Sequence, residues 1–175
     1  LREYPGLGWI GALRSTAIRG LLEKKLIQSS LFDQRNLAEI ASPDFPGERL
    51  MACFNPLLAE QRRRKREELL AATEKLLENI AGEVGRRTKK PMSKSQIGIK
   101  VGCNVNRYKM AKHFEVKIGD GSFSYQRRVE KIEREKQLDG IYVVRTSEPA
   151  DRLPAADAVR GYKDLAHVER AFRCL

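Results

Sequence analysis

Two histidines and three cysteines are the whole supply of imidazole and thiolate metal ligands in these 175 residues, and they do not gather. Cys53, Cys103 and Cys174 are odd in number and far apart, with no CxxC pair and no histidine cluster beside them. That leaves no readable disulfide framework and no readable zinc site, and it favours a reducing, cytoplasmic setting. His113 lies in a basic segment and His167 points sideways from the last helix; neither has an evident catalytic partner. No apolar run approaches the ~20 residues needed to span a bilayer, and no signal-peptide pattern opens the chain. A membrane partner is therefore not expected, and no internal repeat is visible.

What the chain has in excess is positive charge. Lys and Arg total 34 against 23 Asp and Glu, a net charge of +11 and a pI near 9.8. Such a surplus favours a polyanionic partner, because neutralising phosphates releases their condensed counterions. With 41% hydrophobic residues the chain can bury one core or two small ones.

Turn signals divide the chain into antiparallel hairpins mixed with helices, an α+β pattern. Gly8-Trp9-Ile10-Gly11-Ala12-Leu13 reads as a short buried strand, and residues 17–26 as a short helix. Leu37-Ala38-Glu39-Ile40 and Arg49-Leu50-Met51-Ala52-Cys53-Phe54 flank the Pro- and Gly-punctuated loop 42–47, predicting a hairpin. Asn55-Pro56 is an N-cap followed by proline at the first helical position, which predicts a long helix over 56–84. Its apolar face carries Leu69, Leu70, Leu76, Leu77, Ile80 and Val84, while Arg62-Arg63-Arg64-Lys65-Arg66 wraps around its start. That run reads either as solvated charge or as a phosphate-contacting arm. A basic linker follows, then a weak helical pattern over 97–109 interrupted by Gly98 and Gly102. The alternation Phe114-Glu115-Val116-Lys117-Ile118, the turn Gly119-Asp120-Gly121 and Phe123-Ser124-Tyr125 predict a second hairpin. A charged segment over 127–138 ends at Asp139-Gly140, and the β-branched run Ile141-Tyr142-Val143-Val144-Arg145-Thr146 predicts a central strand.

The last predicted helix, 155–175, carries a carboxylate in an unusual place. With Glu169 at zero and about 100° per residue, Ala158 and Tyr162 fall within roughly 20°, Leu165 within about 40°, and Ala166 and Phe172 at about 60°. Glu169 is thus central to the apolar stripe, where a lone carboxylate needs a cation, a partner or a cleft. Arg173 at i+4 offers the simplest partner, a surface ion pair.

The segment Ile141-Tyr142-Val143-Val144-Arg145-Thr146 followed by Tyr162-Lys163-Asp164-Leu165-Ala166-His167-Val168-Glu169-Arg170-Ala171-Phe172-Arg173-Cys174-Leu175 resembles the end of the catalytic domain of insertion-sequence DDE transposases of the IS4-like group, IS1634-type branch. Ser42-Pro43-Asp44-Phe45-Pro46-Gly47-Glu48-Arg49-Leu50, Asn55-Pro56-Leu57-Leu58-Ala59-Glu60 and Asn106-Arg107-Tyr108-Lys109-Met110-Ala111-Lys112-His113-Phe114 extend the likeness over most of the chain. The family signature on this helix is Tyr, Arg three residues on, Glu four further and Lys seven beyond. Tyr162 and Glu169 match it, Leu165 occupies the Arg position, and the Lys position falls just past Leu175.

The resemblance implies an RNase H-like catalytic core in which two Asp and one Glu hold divalent Mg²⁺ for in-line phosphodiester attack. Glu169 would be the third catalytic, metal-binding carboxylate. Residues 1–6 would be a truncated core entry, 7–139 an insertion mixing helices and hairpins, and 140–175 the returning strand and helix of the core. The two Asp are expected upstream, so this piece alone is expected to be inactive; Asp33 and Asp44 do not sit on convincing core strands. Tyr162, Arg170 and Arg173 would meet DNA near the metal, and Arg107, Lys109 and Lys112 would meet it elsewhere. The implied partners are transposon ends and target DNA, with a homodimer of the full-length protein. Two other readings fit the residues: a non-catalytic basic nucleic-acid-binding module, and a helical scaffold built on the 56–84 helix.

Overall fold

The computed structural model describes residues 7–32 and 36–173, with the side chains of 29, 166, 167 and 169–173 outside that description. The fold is α+β, with antiparallel sheets, and the chain divides into two compact units: residues 1–59 with 140–175, and residues 60–139.

The first unit is built on a four-stranded sheet of β1 (Ile10–Ala12), β6 (Ile141–Thr146), β3 (Arg49–Phe54) and β2 (Leu37–Ile40), in that order. Every neighbouring pair is antiparallel, with Ile10 opposite Thr146, Met51 opposite Val144 and Leu37 opposite Cys53. The two inner strands are buried on both faces, so they read as nearly continuous apolar runs rather than as alternation. Met51, Cys53 and Val144 pack with Ala158 and Val159 of α5 (Ala155–Arg173). Leu50, Ala52 and Val143 point the other way and are equally buried. Helix α1 (Ser15–Glu23) meets β6 with Ile18 and Leu21 turned inward.

Gly140 explains the tight entry into β6. Its φ is +75°, and a Cβ there would come within 2.6 Å of the Asn55 carbonyl and 2.8 Å of Ala59. Only glycine takes that backbone at so close an approach. The Asn55 N–H donates to the Gly140 carbonyl at 2.9 Å. The Asn55 side chain accepts from Leu58 N–H at 3.1 Å, capping α2 (Pro56–Arg86) as the Asn-Pro pair predicts.

The second unit is formed around most of α2, with α3 (Lys94–Val105), the hairpin of β4 (Phe114–Gly119) and β5 (Ser122–Arg127), and α4 (Val129–Lys136). Leu70, Leu77, Ile80, Val84, Met92, Ile97, Val101, Phe114 and Ile132 make its core. The buried line of α2 is Arg66, Leu70, Thr73, Leu77, Ile80 and Val84. That spacing, alternately four and three, is a helical seam, and it corrects the face read from apolar periodicity. Leu69 and Leu76 flank the seam half-buried, while two polar residues take places in it. Thr73 satisfies its hydroxyl on the Leu69 carbonyl at 2.8 Å. Arg66, only 7% exposed, grips Asp139 with both guanidinium nitrogens.

Helix α3 begins three residues earlier than its apolar pattern suggests. Ser93 caps it, accepting from Gln96 N–H at 3.3 Å, while the Gln96 side chain accepts from Ser93 N–H at 3.1 Å. This capping box supplies the start signal that the glycine-interrupted pattern obscures. No described helix is long and apolar enough to cross a membrane.

Candidate functional site

Helix α5 was the segment singled out for catalysis. Pro154 opens it, its carbonyl accepting from Asp157 and Ala158 N–H at 3.0 Å each. Ala158 is fully buried and Tyr162 packs partly buried against the Met51, Cys53 and Val144 cluster, so this stripe of the helix faces the sheet. One turn on, Leu165 is 48% exposed, which departs from the continuous apolar stripe read from the wheel. Glu169, Arg170 and Arg173 belong to the helical backbone of α5, but their side chains lie outside the described residues. Asp33 lies outside them as well; Asp44 is paired with Lys24 at 2.5 Å and is exposed.

Beside Tyr162 the first unit holds a cavity of about 330 Å³, lined among others by Asn36, Cys53, Asn55, Tyr142 and Lys163. Burial pushes the Cys53 thiol up, against the opposing pull of Tyr142 and Lys163. Burial also pushes the Tyr142 hydroxyl up, with Cys53 and Tyr162 adding to it. Both groups are neutral at pH 7, and a buried thiol held neutral is a packing group rather than a nucleophile. Among the described residues no group of three His, Cys, Asp or Glu side chains could hold a metal ion.

In the second unit, geometry sorts the cations into those already neutralised and those left open. Of the 62–66 run, Arg63 pairs with Glu60 at 2.8 Å, Arg64 and Lys65 approach Glu68 at 3.7 and 3.6 Å, and Arg62 donates to the Leu138 carbonyl at 3.3 Å. Arg66 is held by Asp139, whose hydrogen bond raises the guanidinium pKa in spite of burial. Arg127 is likewise clamped, donating to Glu74 at 2.9 and 2.6 Å and to Glu67 at 3.0 Å.

Three basic side chains near the start of the second hairpin were also singled out for DNA contact. Lys112 is bonded to Glu135, and that carboxylate also lies 3.0 Å from the fully buried His113 Nε2. Burial alone would raise the Glu135 carboxyl, but Lys112, His113 and Arg66 together hold it below the ordinary range. Burial pushes His113 down, and neither ring nitrogen makes an aligned hydrogen bond. Arg107, by contrast, is exposed and lies over the Tyr108 ring at 5.8 Å from its centroid. Lys109 is exposed on a turn with φ +58°. The structure thus leaves Arg107 and Lys109 open to solvent while Lys112 is engaged.

Four further open cations were missed as site residues: Arg86, Lys89, Lys90 and Lys94. All are exposed; Lys89, Lys90 and Lys94 have no ion-pair partner among the described residues, and Arg86 feels only Glu83. A signal was present in the sequence, because no Asp or Glu occurs between Glu83 and Glu115.

Comparison with protein-family models, with curated proteins and with solved structures finds no match.

Proposed function

We propose that β6 and α5 are the last strand and the catalytic helix of an RNase H-like core, in a DDE transposase of the IS4-like group that acts on DNA. In this reading Glu169 is the third carboxylate of the catalytic centre, with Tyr162, Arg170 and Arg173 beside the DNA. The observation that supports it best is the buried strand β6 followed by a helix whose Ala158 and Tyr162 face the sheet. By helical spacing Glu169 falls on their side of the wheel, about two turns beyond Tyr162.

Phosphodiester chemistry of this class uses Mg²⁺ bound by several carboxylates, which activates the attacking oxygen and stabilises the leaving one. The described residues do not by themselves fit such an ion, since no group of acidic or other ligand side chains converges among them. The reading therefore requires two further carboxylates from outside the described residues, as it also requires the transposon ends, the target DNA and a full-length homodimer in the cytoplasm.

The test is Glu169→Gln in the full-length protein, assayed for cleavage of a transposon end. The expected result is a loss exceeding the roughly 100-fold upper range seen for outer-shell partners of metal sites, with DNA binding retained. Unchanged cleavage would overturn the assignment.

One observation favours a second reading, a basic nucleic-acid-binding module without metal chemistry. Residues 60–139 hold 21 Lys and Arg against 12 Asp and Glu, a net +9, while the rest of the chain holds 13 against 11, a net +2. The polyanion-binding capacity belongs to the second unit whatever the first unit does.

A further inference from the structure

The charge of the second unit is segregated within it. Residues 84–114 carry nine Lys and Arg and no Asp or Glu, whereas the remaining residues of the unit carry 12 of each sign. Its entire surplus therefore sits on one continuous segment: the end of α2, the loop to α3, α3 itself and the turn after it.

Three of the nine cations are satisfied from outside the segment. Arg87 and Lys100 bond to Glu83 at 3.0 and 2.6 Å, and Lys112 bonds to Glu135. Of the other six, Lys89, Lys90, Lys94, Arg107 and Lys109 have no anionic partner among the described residues, and Arg86 feels Glu83 without forming an ion pair. Four of these six, Arg86, Lys89, Lys90 and Lys94, lie within nine residues, an accumulation of like charge that an external anion would relieve.

The segment is held in shape rather than left as a tail. Gly121 N–H donates to the Met92 carbonyl at 2.8 Å, Lys94 N–H donates to Asp120 Oδ1 at 2.7 Å, and the capping box locks Ser93 to Gln96. These bonds fix the loop at the start of α3, so cations on it lose little freedom when a ligand is bound.

Helix α3 then separates two cationic ends. Arg86, Lys89, Lys90 and Lys94 lie before it or at its first residue, and Arg107 and Lys109 lie just after it; its 12 residues span about 18 Å. Ile97 and Val101 face the core. Between the charged ends, the outer face presents Ser95, Ile99, Gly102, Cys103 and Asn106, all exposed and all uncharged. Gly102 has a helical backbone and nothing within 4 Å of a Cβ, so no packing demand within the protein explains a glycine there.

We infer that residues 86–109 form a surface for duplex DNA. The uncharged face of α3 turns toward a groove, and the cations at its two ends contact the phosphate backbones on either side. The major groove, about 12 Å wide, admits an α-helix, and an 18 Å helix carries its end charges past that width. The face between the two cationic ends is uncharged, with Ile99 its one large exposed side chain. This inference rests on charge placement alone and is indifferent to the role of Glu169.

The test uses the 175-residue chain and a 20-base-pair duplex, with affinity measured between 50 and 200 mM salt. Six phosphate contacts predict a log–log slope of about −5 and a loss of about 10³-fold over that range. The variant R86Q/K89Q/K90Q/K94Q should reduce the slope to about −2 and the loss to about tenfold. The control R62Q/R63Q/R64Q should keep the original slope. In parallel, alkylation of Cys103 followed by peptide mass spectrometry should slow at least fivefold when the duplex is added.

A flat salt dependence, an equal loss in the control variant, or unprotected Cys103 would overturn the inference. So would tighter binding of single-stranded RNA than of the duplex. Should the quadruple variant fail to fold, as judged by circular dichroism, K89Q/K90Q is measured instead; it should lower the slope by about 2, and an unchanged slope would count against the surface.

Discussion

Two basic runs lie on the same helix and its extension, residues 62–66 and 86–90, and they end in opposite chemical states. The first is the denser in charge, yet its side chains are answered by Glu60, Glu68, Asp139 and a backbone carbonyl. The second leaves Lys89 and Lys90 open, with Arg87 paired to Glu83 and Arg86 within the same carboxylate's field. Charge density along a chain therefore does not locate an anion-binding surface. Residues 84–114 contain no acid of their own, and after folding Glu83 and Glu135 reach in to pair Arg87, Lys100 and Lys112 only.

The sharpest way to break this comparison is to remove the anion that makes Arg66 structural. Asp139→Ala leaves a nearly buried guanidinium without its partner and should destabilise the protein by about 3–5 kcal/mol in chemical denaturation. The double change Arg66→Met with Asp139→Leu should recover most of that loss, because apolar replacement of a buried pair is often neutral. A loss below about 1 kcal/mol for Asp139→Ala would show that Arg66 is solvated like its neighbours.

A smaller effect of opposite sign is expected in α3. Gly98 and Gly102 have room for a methyl group and no positive φ, so alanine at each should stabilise by about 0.4–1 kcal/mol. A thermal melt that falls instead would mean the helix face is more crowded than its geometry indicates.

Protonation of a single histidine gives the next lever. Burial holds His113 below its ordinary value, so the unfolded chain binds a proton that the folded chain resists. Stability should fall as pH drops below about 6.5, and His113→Gln should flatten that fall between pH 7.5 and 5. Glu135 acts at lower pH: its carboxyl is held below the ordinary range, so its contribution is present at neutral pH and is lost as pH falls through the folded value. An unchanged pH profile in His113→Gln would remove His113 from this account.

The smallest stability effect belongs to the open run. Lys89→Gln with Lys90→Gln should change stability by no more than about 0.5 kcal/mol, since exposed residues without partners contribute little. A larger loss would mean that these cations, like Arg66, are bound within the fold.

Much of the secondary structure was legible because its causes are local. Asn55-Pro56 starts α2 by capping, Gly119-Asp120-Gly121 turns one strand back on the next, and the Pro- and Gly-rich loop 42–47 joins β2 to β3. Errors arose where a partner is remote. Arg66 lies 73 residues before Asp139, so apolar periodicity passed over a charged member of the α2 seam. The first strand pairs with β6, Ile10 opposite Thr146, an association that no local pattern near Trp9 encodes. For the candidate sites, Tyr162 could be placed on the sheet-facing stripe from spacing, while the open state of Leu165 could not.

By itself, then, the order of residues determined the start of α2 and the turns of the two hairpins, through a cap and turn residues, and it determined that residues 84–114 would be basic with no acid of their own. Tertiary structure decided which cations keep that charge available. Pairing depends on distances of 3–4 Å between side chains brought together from distant positions, and only the folded arrangement sets those distances. That is why Arg66 became part of a core and Lys89 and Lys90 remained at the surface.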